Sequence, residues 1–395
     1  MTFPQDPLAA VTHPDPYAYY ANLVMRTPLY RDNELGAWVA TGAQAVTAVL
    51  TNNLCRVRPA TEPVPRALLG SPAADIFRHL VRMNDGEGHC PFKQAVSAAL
   101  QSLDENQAAE QSGNWARLLS SEIENFVFHL PVYVMGSLIG VPQDMLRQTA
   151  LWMSDFARCI APASNPDRPD QIERGKAAAG YLMEMFRALL ADKGAGAADG
   201  LLWALAREAK RLGREDANVI VANGIGFLFQ PYEATAGLIG NTLLALAARP
   251  ELREQVAADP CLLCDVILEV LRYDPPVQNT RRFLAEDGIV AGQEMNGGDM
   301  ILVVLAAANR DPLANPDPDR FDIFRKDRKT FTFGAGAHAC PGASLAITIA
   351  KAGVEQLLTS GVALERLVAP AAYRASANVR VPLLAPLSAM EGGAS

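Results

Sequence analysis

The chain has 395 residues, half of them hydrophobic and a fifth charged, with a formal net charge of −8. That length and apolar fraction allow a large buried core, and the acidic balance, with no basic stripe interleaved with aromatics, argues against a general nucleic-acid binder. Met1 to Pro16 is proline- and acid-rich without an apolar run, and the six cysteines form no disulfide framework, so a cytoplasmic protein with neither signal peptide nor membrane anchor is expected.

In chain order, Asp15-Pro16-Tyr17 opens a short helix to Val24, and Leu29-Tyr30 and Ala37 to Ala40 read as strands around a Gly36 turn. Gln44 to Leu50 reads as helix, and the proline-rich residues 55–72 read as a loop whose start, Arg56 and Arg58, is basic. Helices follow at Cys90 to Leu100, at Ser121 to Leu130 and at Val132 to Ile139, the last two separated by Pro131 and closed by Gly140 and Pro142. Two amphipathic helices, one ending near Ala157 and one starting near Gln171, flank a loop at 161–170, and 194–200 is a second loop. Ala217 to Ala248 is the longest apolar helical stretch, roughly 48 Å at about 1.5 Å per residue, and its scattered polar residues mark it as a central helix of a soluble domain. Ala257 to Tyr273 reads as one helix, and short strands fit Ile289-Val290, Ile301 to Leu305 and Arg380 to Leu384. Neither an internal repeat nor a linker divides the chain, so residues 1–395 read as a single domain. Cys261-x-x-Cys264 has no second pair or matching histidine and reads as structural.

Chemistry concentrates in Phe333-Gly334-Ala335-Gly336-Ala337-His338-Ala339-Cys340-Pro341-Gly342. Glycines let this backbone approach a flat ligand, and Pro341 suits the first turn of the helix that follows, Ala343 to Leu358. Cys340 therefore lies at a helix N-terminus, where the dipole favours a thiolate. A thiolate so held can ligate a haem iron.

The pattern Phe-x-x-Gly-x-x-x-Cys-x-Gly, from Phe333 to Gly342, resembles the cysteine-ligand loop of the cytochromes P450. Other stretches carry the same resemblance from about Asp15 to Leu387. Glu269-Val270-Leu271-Arg272 with Arg320 resembles the family's structural Glu-Arg-Arg network. Asp85 to Lys93 resembles the helix that offers His-x-x-x-Arg to a haem propionate, with His89 matching and Lys93 in the arginine's place; Arg282 and His338 match two further propionate donors. The resemblance implies a mainly α fold, one helix-rich domain with small β-sheets, binding haem b through Cys340.

The departure is in the long helix. Phe229-Gln230-Pro231-Tyr232-Glu233-Ala234-Thr235-Ala236 aligns with the family's Ala-Gly-x-(Asp/Glu)-Thr-Thr segment. The acid is kept as Glu233, the alcohol after it has become Ala234, and Thr235 is turned by about 100° around the helix. Gln230-Pro231 replaces the small pair, and a kink is expected at Pro231, which crowds the carbonyl of Phe227. The resemblance further implies a monooxygenase that takes O2 and electrons from a soluble ferredoxin or flavodoxin, with Glu233 as proton-relay acid and Arg325, Lys326, Arg328 and Lys329 as cations of the docking face. Its substrate pocket would include Phe227, Gln230, Val277, Gln278, Asn279 and Asn378, an amide-rich lining that suits a small or polar molecule. Three alternatives stay open: a P450 that uses peroxide or rearranges, dehydrates or couples its substrate; a haem sensor or carrier; and a scaffold that recruits partners.

Overall fold

Asp216 caps the N-terminus of the longest helix, its carboxylate accepting from the Asn218 and Val219 N–H groups at 2.8 and 3.4 Å. That helix is apolar on nearly all sides from Ile220 onward, the pattern of an element surrounded by others. In the computed structural model, which describes residues 3–160, 169–192, 200–361, 363–367 and 372–384, most of the other large helices pack against it. The helices are α1 (Tyr17–Arg26), α2 (Ala43–Thr51), α3 (Pro72–His79), α4 (Cys90–Gln101), α5 (Glu105–Leu119), α6 (Ile123–Ile139), α7 (Leu146–Ile160), α8 (Pro169–Ala191), α9 (Leu201–Arg211), α10 (Ala217–Ala247), α11 (Pro250–Ala258), α12 (Leu262–Tyr273), α13 (Leu305–Asn309), α14 (Ala343–Thr359) and α15 (Leu364–Leu367). The strands are β1 (Leu29–Asp32), β2 (Ala37–Ala40), β3 (Cys55–Arg56), β4 (Thr280–Leu284), β5 (Gly288–Val290), β6 (Gln293–Met295) and β7 (Met300–Val303).

Helix α10 packs against α6, α14, α3, α8 and α12, and these contacts enclose the main hydrophobic core. Five strands form a side sheet in the order β1-β2-β7-β4-β3, with β2 and β7 parallel and the other pairs antiparallel; β5 and β6 make a separate hairpin. The chain is therefore mainly helical with small sheets, as expected. Gly237 explains how the C-terminal segment reaches α10, since a Cβ there would lie 2.6 Å from the Arg380 carbonyl oxygen.

Four expectations need correction. Pro131 does not break its helix: α6 is continuous, because burial of Leu130, Val132, Val134, Met135 and Leu138 outweighs the roughly 3 kcal/mol an interior proline costs. The helix expected from Ala257 is two helices, since Pro260 interrupts it and the Asp259 carboxylate accepts from the Cys261 N–H at 3.0 Å to make the turn. Leu305 opens α13 in place of ending a strand. Residues 380–384 form no strand: Pro382 makes a single bridge with Tyr373, and Val379 just before them bridges Val277, because Pro382 cannot donate to a ladder. The loop at 55–72 holds β3 and a 3-10 turn at Arg66–Leu68. Most of the loops expected at 161–170 and 194–200 lies outside the described residues. Helix α10 runs through Pro231 without a break, although the Phe227 carbonyl has no N–H four residues on.

Candidate haem site

The Cys340 loop is closed by its own backbone. The Gly334 N–H donates to the Phe331 carbonyl at 2.8 Å, and the Cys340 N–H to that of Phe333 at 2.8 Å. Gly336 has φ +66°, and a Cβ there would sit 3.0 Å from the Leu50 carbonyl, so only glycine lets the loop rest on the end of α2. Gly342 ends the loop, and its carbonyl accepts from the Ala346 N–H to start α14. Cys340 itself is exposed.

Opposite the loop lies a cluster of cations. Lys93, on the first turn of α4, donates from Nζ to the Ala339 carbonyl at 2.5 Å. Burial holds Lys93 below the usual lysine range, and Cys340 is the group that pulls it back up. His338 Nε2 lies 3.0 Å from Asp85 Oδ1, whose other oxygen accepts from the Val57 N–H at 3.1 Å. Burial opposes ionisation of Asp85, yet these two partners hold its carboxyl below the ordinary value. The ring of His89 lies 4.2 Å from that of His338, and His89 is only 2% exposed. Burial, then His338 and Lys93, lower the His89 pKa from 6.5 to about 4. Arg282 is buried, and its hydrogen bonds reach only its own strand, Arg281 O at 2.9 Å and Thr280 Oγ1 at 3.5 Å.

Two of these donors are enclosed without an acceptor: His89 Nε2 and one guanidinium nitrogen of Arg58, Nη1. The other terminal nitrogen of Arg58 donates to Asn84 Oδ1 at 2.7 Å. Buried donors without acceptors are costly and rare in a finished protein. Haem b brings two carboxylates and an iron that takes a thiolate, so the donor set fits it: His89, Arg58 and Arg282 toward the carboxylates, Cys340 toward the metal. Sequence reasoning noticed Arg58 only as the basic start of a loop, because its place beside Asn84 and Asp85 is set by tertiary structure.

The ion network that supports this loop is only partly the one expected. Glu269 and Arg272 on α12 are both 0% exposed, and the guanidinium nitrogens Nε and Nη2 of Arg272 reach Glu269 at 2.6–3.2 Å. Arg320 is not their third partner. Its side chain is 71% exposed and lies 3.7 Å from Asp322, while its carbonyl accepts from Arg272. Arg328 takes the place, with Nε 2.9 Å from Glu269 Oε2, and Arg325 stands 3.8 Å from Oε1. The turn following Arg320 directs the later arginines inward, which no spacing rule reveals. Arg325 and Arg328 are therefore spent on Glu269 and are not docking cations, whereas Lys326 and Lys329 are exposed.

On α10, Glu233 is half-buried and its Oε1 lies 3.4 Å from Arg374 Nη2, which comes from the C-terminal segment. Burial raises the Glu233 pKa, and Arg374 and Arg158 offset part of that rise. Thr235 is buried with its hydroxyl unpartnered. Gln230 folds back over Gly226, where its Nε2 and Leu80 Cδ2 lie 3.1 and 2.9 Å from where a Cβ would be. Phe227 is buried, and Val277 is half-buried against Val379. The amide-rich pocket needs correction. Gln278 is fully buried, accepting from the Tyr20 hydroxyl at 3.1 Å and donating to Pro275 O at 2.7 Å. Asn279 donates to Ala377 O at 2.8 Å, and Asn378 accepts from the Ser376 hydroxyl at 3.4 Å. Asn279 thus ties Ala377 to the segment after α12, Gln278 is engaged with Tyr20 and Pro275, and Asn378 with Ser376, so of the four only Gln230 makes no side-chain hydrogen bond among the described residues.

Comparison with known proteins agrees with this geometry. The sequence profile described as Cytochrome P450 matches residues 179–360. The chain is 33% identical over 265 residues to "Vitamin D(3) 25-hydroxylase" of Pseudonocardia autotrophica, covering 65% of this chain and 62% of that protein. It is 29% identical over 358 residues to "6-deoxyerythronolide B hydroxylase" of Saccharopolyspora erythraea, covering 85% of each. The crystal structure of CalO2 superposes with a TM-score of 0.84 at 26% identity, covering 97% of this chain and 98% of that one. The Cys340 loop, the cations that face it and these likenesses lead to one conclusion: the chain belongs to the cytochrome P450 family, whose members bind haem b.

Proposed function

We propose that the protein is a haem-thiolate monooxygenase that oxidises a small or polar molecule with O2 and electrons from a soluble ferredoxin or flavodoxin. The observation that carries this is the Cys340 loop facing enclosed donors that lack acceptors, His89 Nε2 and Arg58 Nη1. Bound there, haem would supply reductive activation of O2. The chain's own residues bind, orient and supply protons. His89, Arg58 and Arg282, with Lys93 and His338 beside them, would hold the carboxylates, and Cys340 would hold the metal.

Glu233 is the acid closest to the missing alcohol, and its raised pKa makes it a more ready proton donor near neutrality than an exposed glutamate. Ala234 cannot hold a water by hydrogen bonding, so the orienting task would pass to Gln230, whose amide can fix a water or a polar group of the substrate. The polar-substrate reading now rests on Gln230, since Gln278, Asn279 and Asn378 are engaged within the protein. Exposed Lys326 and Lys329 remain as cations for an acidic electron donor. Consistent with a soluble donor, no helix among the described residues is long and apolar enough to cross a membrane.

The test is the reduced, CO-bound spectrum of wild type and Cys340→Ser. The wild type should show the thiolate-type Soret band and the variant should lose it. A variant that kept both band and haem would exclude Cys340 as ligand. Turnover of wild type that ran on peroxide equally well with no donor present would instead favour the peroxide-using alternative.

A further inference from the structure

Asn223, Gly226 and Gln230 are spaced three and four residues apart, so they form a stripe along one face of α10. The turn after α3 is bound to that stripe. Asn223 is 2% exposed, and its amide holds the residues on either side of Leu80. Its Oδ1 accepts from the Val81 N–H at 2.8 Å, and its Nδ2 donates to the His79 carbonyl at 2.9 Å. The backbone of Leu80 is spent as well. Its N–H donates to the Ile76 carbonyl at 3.0 Å, and its carbonyl accepts from Asn84 Nδ2 at 2.7 Å. Leu80 therefore has one fixed place, and it is buried there.

The Leu80 side chain fills a notch. A Cβ on Gly226 would lie 2.9 Å from Leu80 Cδ2 and 3.1 Å from Gln230 Nε2, so the leucine methyl and the amide meet over one glycine. Any larger residue at 226 would displace one of the two, and Leu80 cannot retreat while its backbone is held. Gln230 makes no side-chain hydrogen bond among the described residues, so this packing contact, and not a polar partner, sets the direction of its amide. Helix α10 is buried from Ile220 to Leu228 and again from Thr235 to Leu243, yet Phe229, Gln230, Pro231, Glu233 and Ala234 keep accessible surface. A cleft therefore reaches the central helix beside the amide. A glutamine free to turn would lose that freedom only when a ligand arrives, whereas one wedged by packing has lost it on folding and offers its dipole in a fixed direction.

Resting on the reading of Gln230 as the residue that orients a water or a polar group, we propose that Leu80 is its positioning residue. Pinned by Asn223 and seated in the Gly226 notch, Leu80 holds the Gln230 amide in one orientation, and the turn at 79–84 thereby fixes where the polar group of a substrate must lie. The same turn holds Arg58, whose Nη2 donates to Asn84 Oδ1 at 2.7 Å, so one short segment serves both the haem carboxylates and the amide.

The experiment is the infrared C–O stretch of the reduced, CO-bound holoprotein, a probe that binds whatever the natural substrate is and responds to a dipole beside it. Wild type should give one narrow band, and Gln230→Leu should shift it. Leu80→Ala should broaden or split the band with haem retained, and Asn223→Ala should do so to a smaller extent. Leu80→Met, a side chain of nearly equal volume, should keep the band single and in place. In a Gln230→Leu background, Leu80→Ala should no longer broaden the band, which separates positioning of the amide from a general loosening of the site. An unchanged narrow band in Leu80→Ala would overturn the proposal, as would broadening that persists without the amide, or equal bands in wild type and Gln230→Leu. Should Leu80→Ala fail to hold haem, Gly226→Ala decides, because its added methyl must move the amide, and a wild-type band there would overturn the proposal. Absence of the thiolate-type Soret band in wild type means that the haem-thiolate reading itself fails. With that band present and the Leu80→Ala infrared band unchanged, only the role of Leu80 fails.

Discussion

The arginines around Glu269 and the cations around the Cys340 cleft are alike in sign and in burial, but they differ in where their partners lie. Glu269 is fully enclosed and meets Arg272, Arg325 and Arg328, while the outward nitrogens of Arg272 donate to the Pro318 and Arg320 carbonyls at 2.8 and 3.0 Å. That network is nearly closed within the protein: Arg325 Nε, 3.8 Å from Glu269, makes no hydrogen bond but lies beside the carboxylate. In the cleft, His89 Nε2 and Arg58 Nη1 have no acceptor among the described residues, and the Arg282 side chain bonds only to its own strand. The lesson is that buried charge alone does not mark a binding site. The mark is a cluster of enclosed polar groups facing one cleft with hydrogen-bonding capacity unspent; single unsatisfied atoms such as Trp203 Nε1 and Arg310 Nη2 occur elsewhere in the fold.

The largest test of this contrast is Glu269→Gln. Removing the one carboxylate leaves Arg272 buried without a counter-charge and should cost about 3–5 kcal/mol in urea unfolding. A loss below about 1 kcal/mol would show the network to be no more closed than the cleft. Next comes the pH response of His89. In the folded protein it stays neutral down to about pH 4, while in the unfolded chain it protonates near 6.5. The unfolded state therefore takes up the proton first, and stability is lost as pH falls from about 6.5 toward 4, by about 2–3 kcal/mol in haem-free protein. His89→Gln should flatten that slope. Haem loading should flatten it too, because a carboxylate beside His89 raises its folded pKa. Urea midpoints at pH 7, 6 and 5 check both, and an equal slope in haem-loaded wild type would mean that no carboxylate reaches His89. The smallest effect is expected from Arg320→Ala, which should change stability by less than about 0.5 kcal/mol since the side chain is exposed. A change as large as that of Glu269→Gln would restore Arg320 to the network.

Local signals set the legible part of this protein. Apolar periodicity located α10 to within one residue at its end, and the glycines with Pro341 located the Cys340 loop and the start of α14, because capping and backbone freedom depend on residues a few positions apart. The motif also brought out Glu269 with Arg272, neighbours on one helical turn. Pro131 shows where local reasoning ends: a helix breaker by propensity sits inside α6 because tertiary burial overrides it. Which arginine completes the Glu269 network, whether Gln278 faces a pocket or Tyr20, and that Leu80 meets Gln230 over Gly226 were decided only by the packed structure. Each of these depends on contacts between residues far apart in the chain. The direction of a side chain across such a contact is fixed by the combined packing of several elements, which the order of residues in any one of them does not contain.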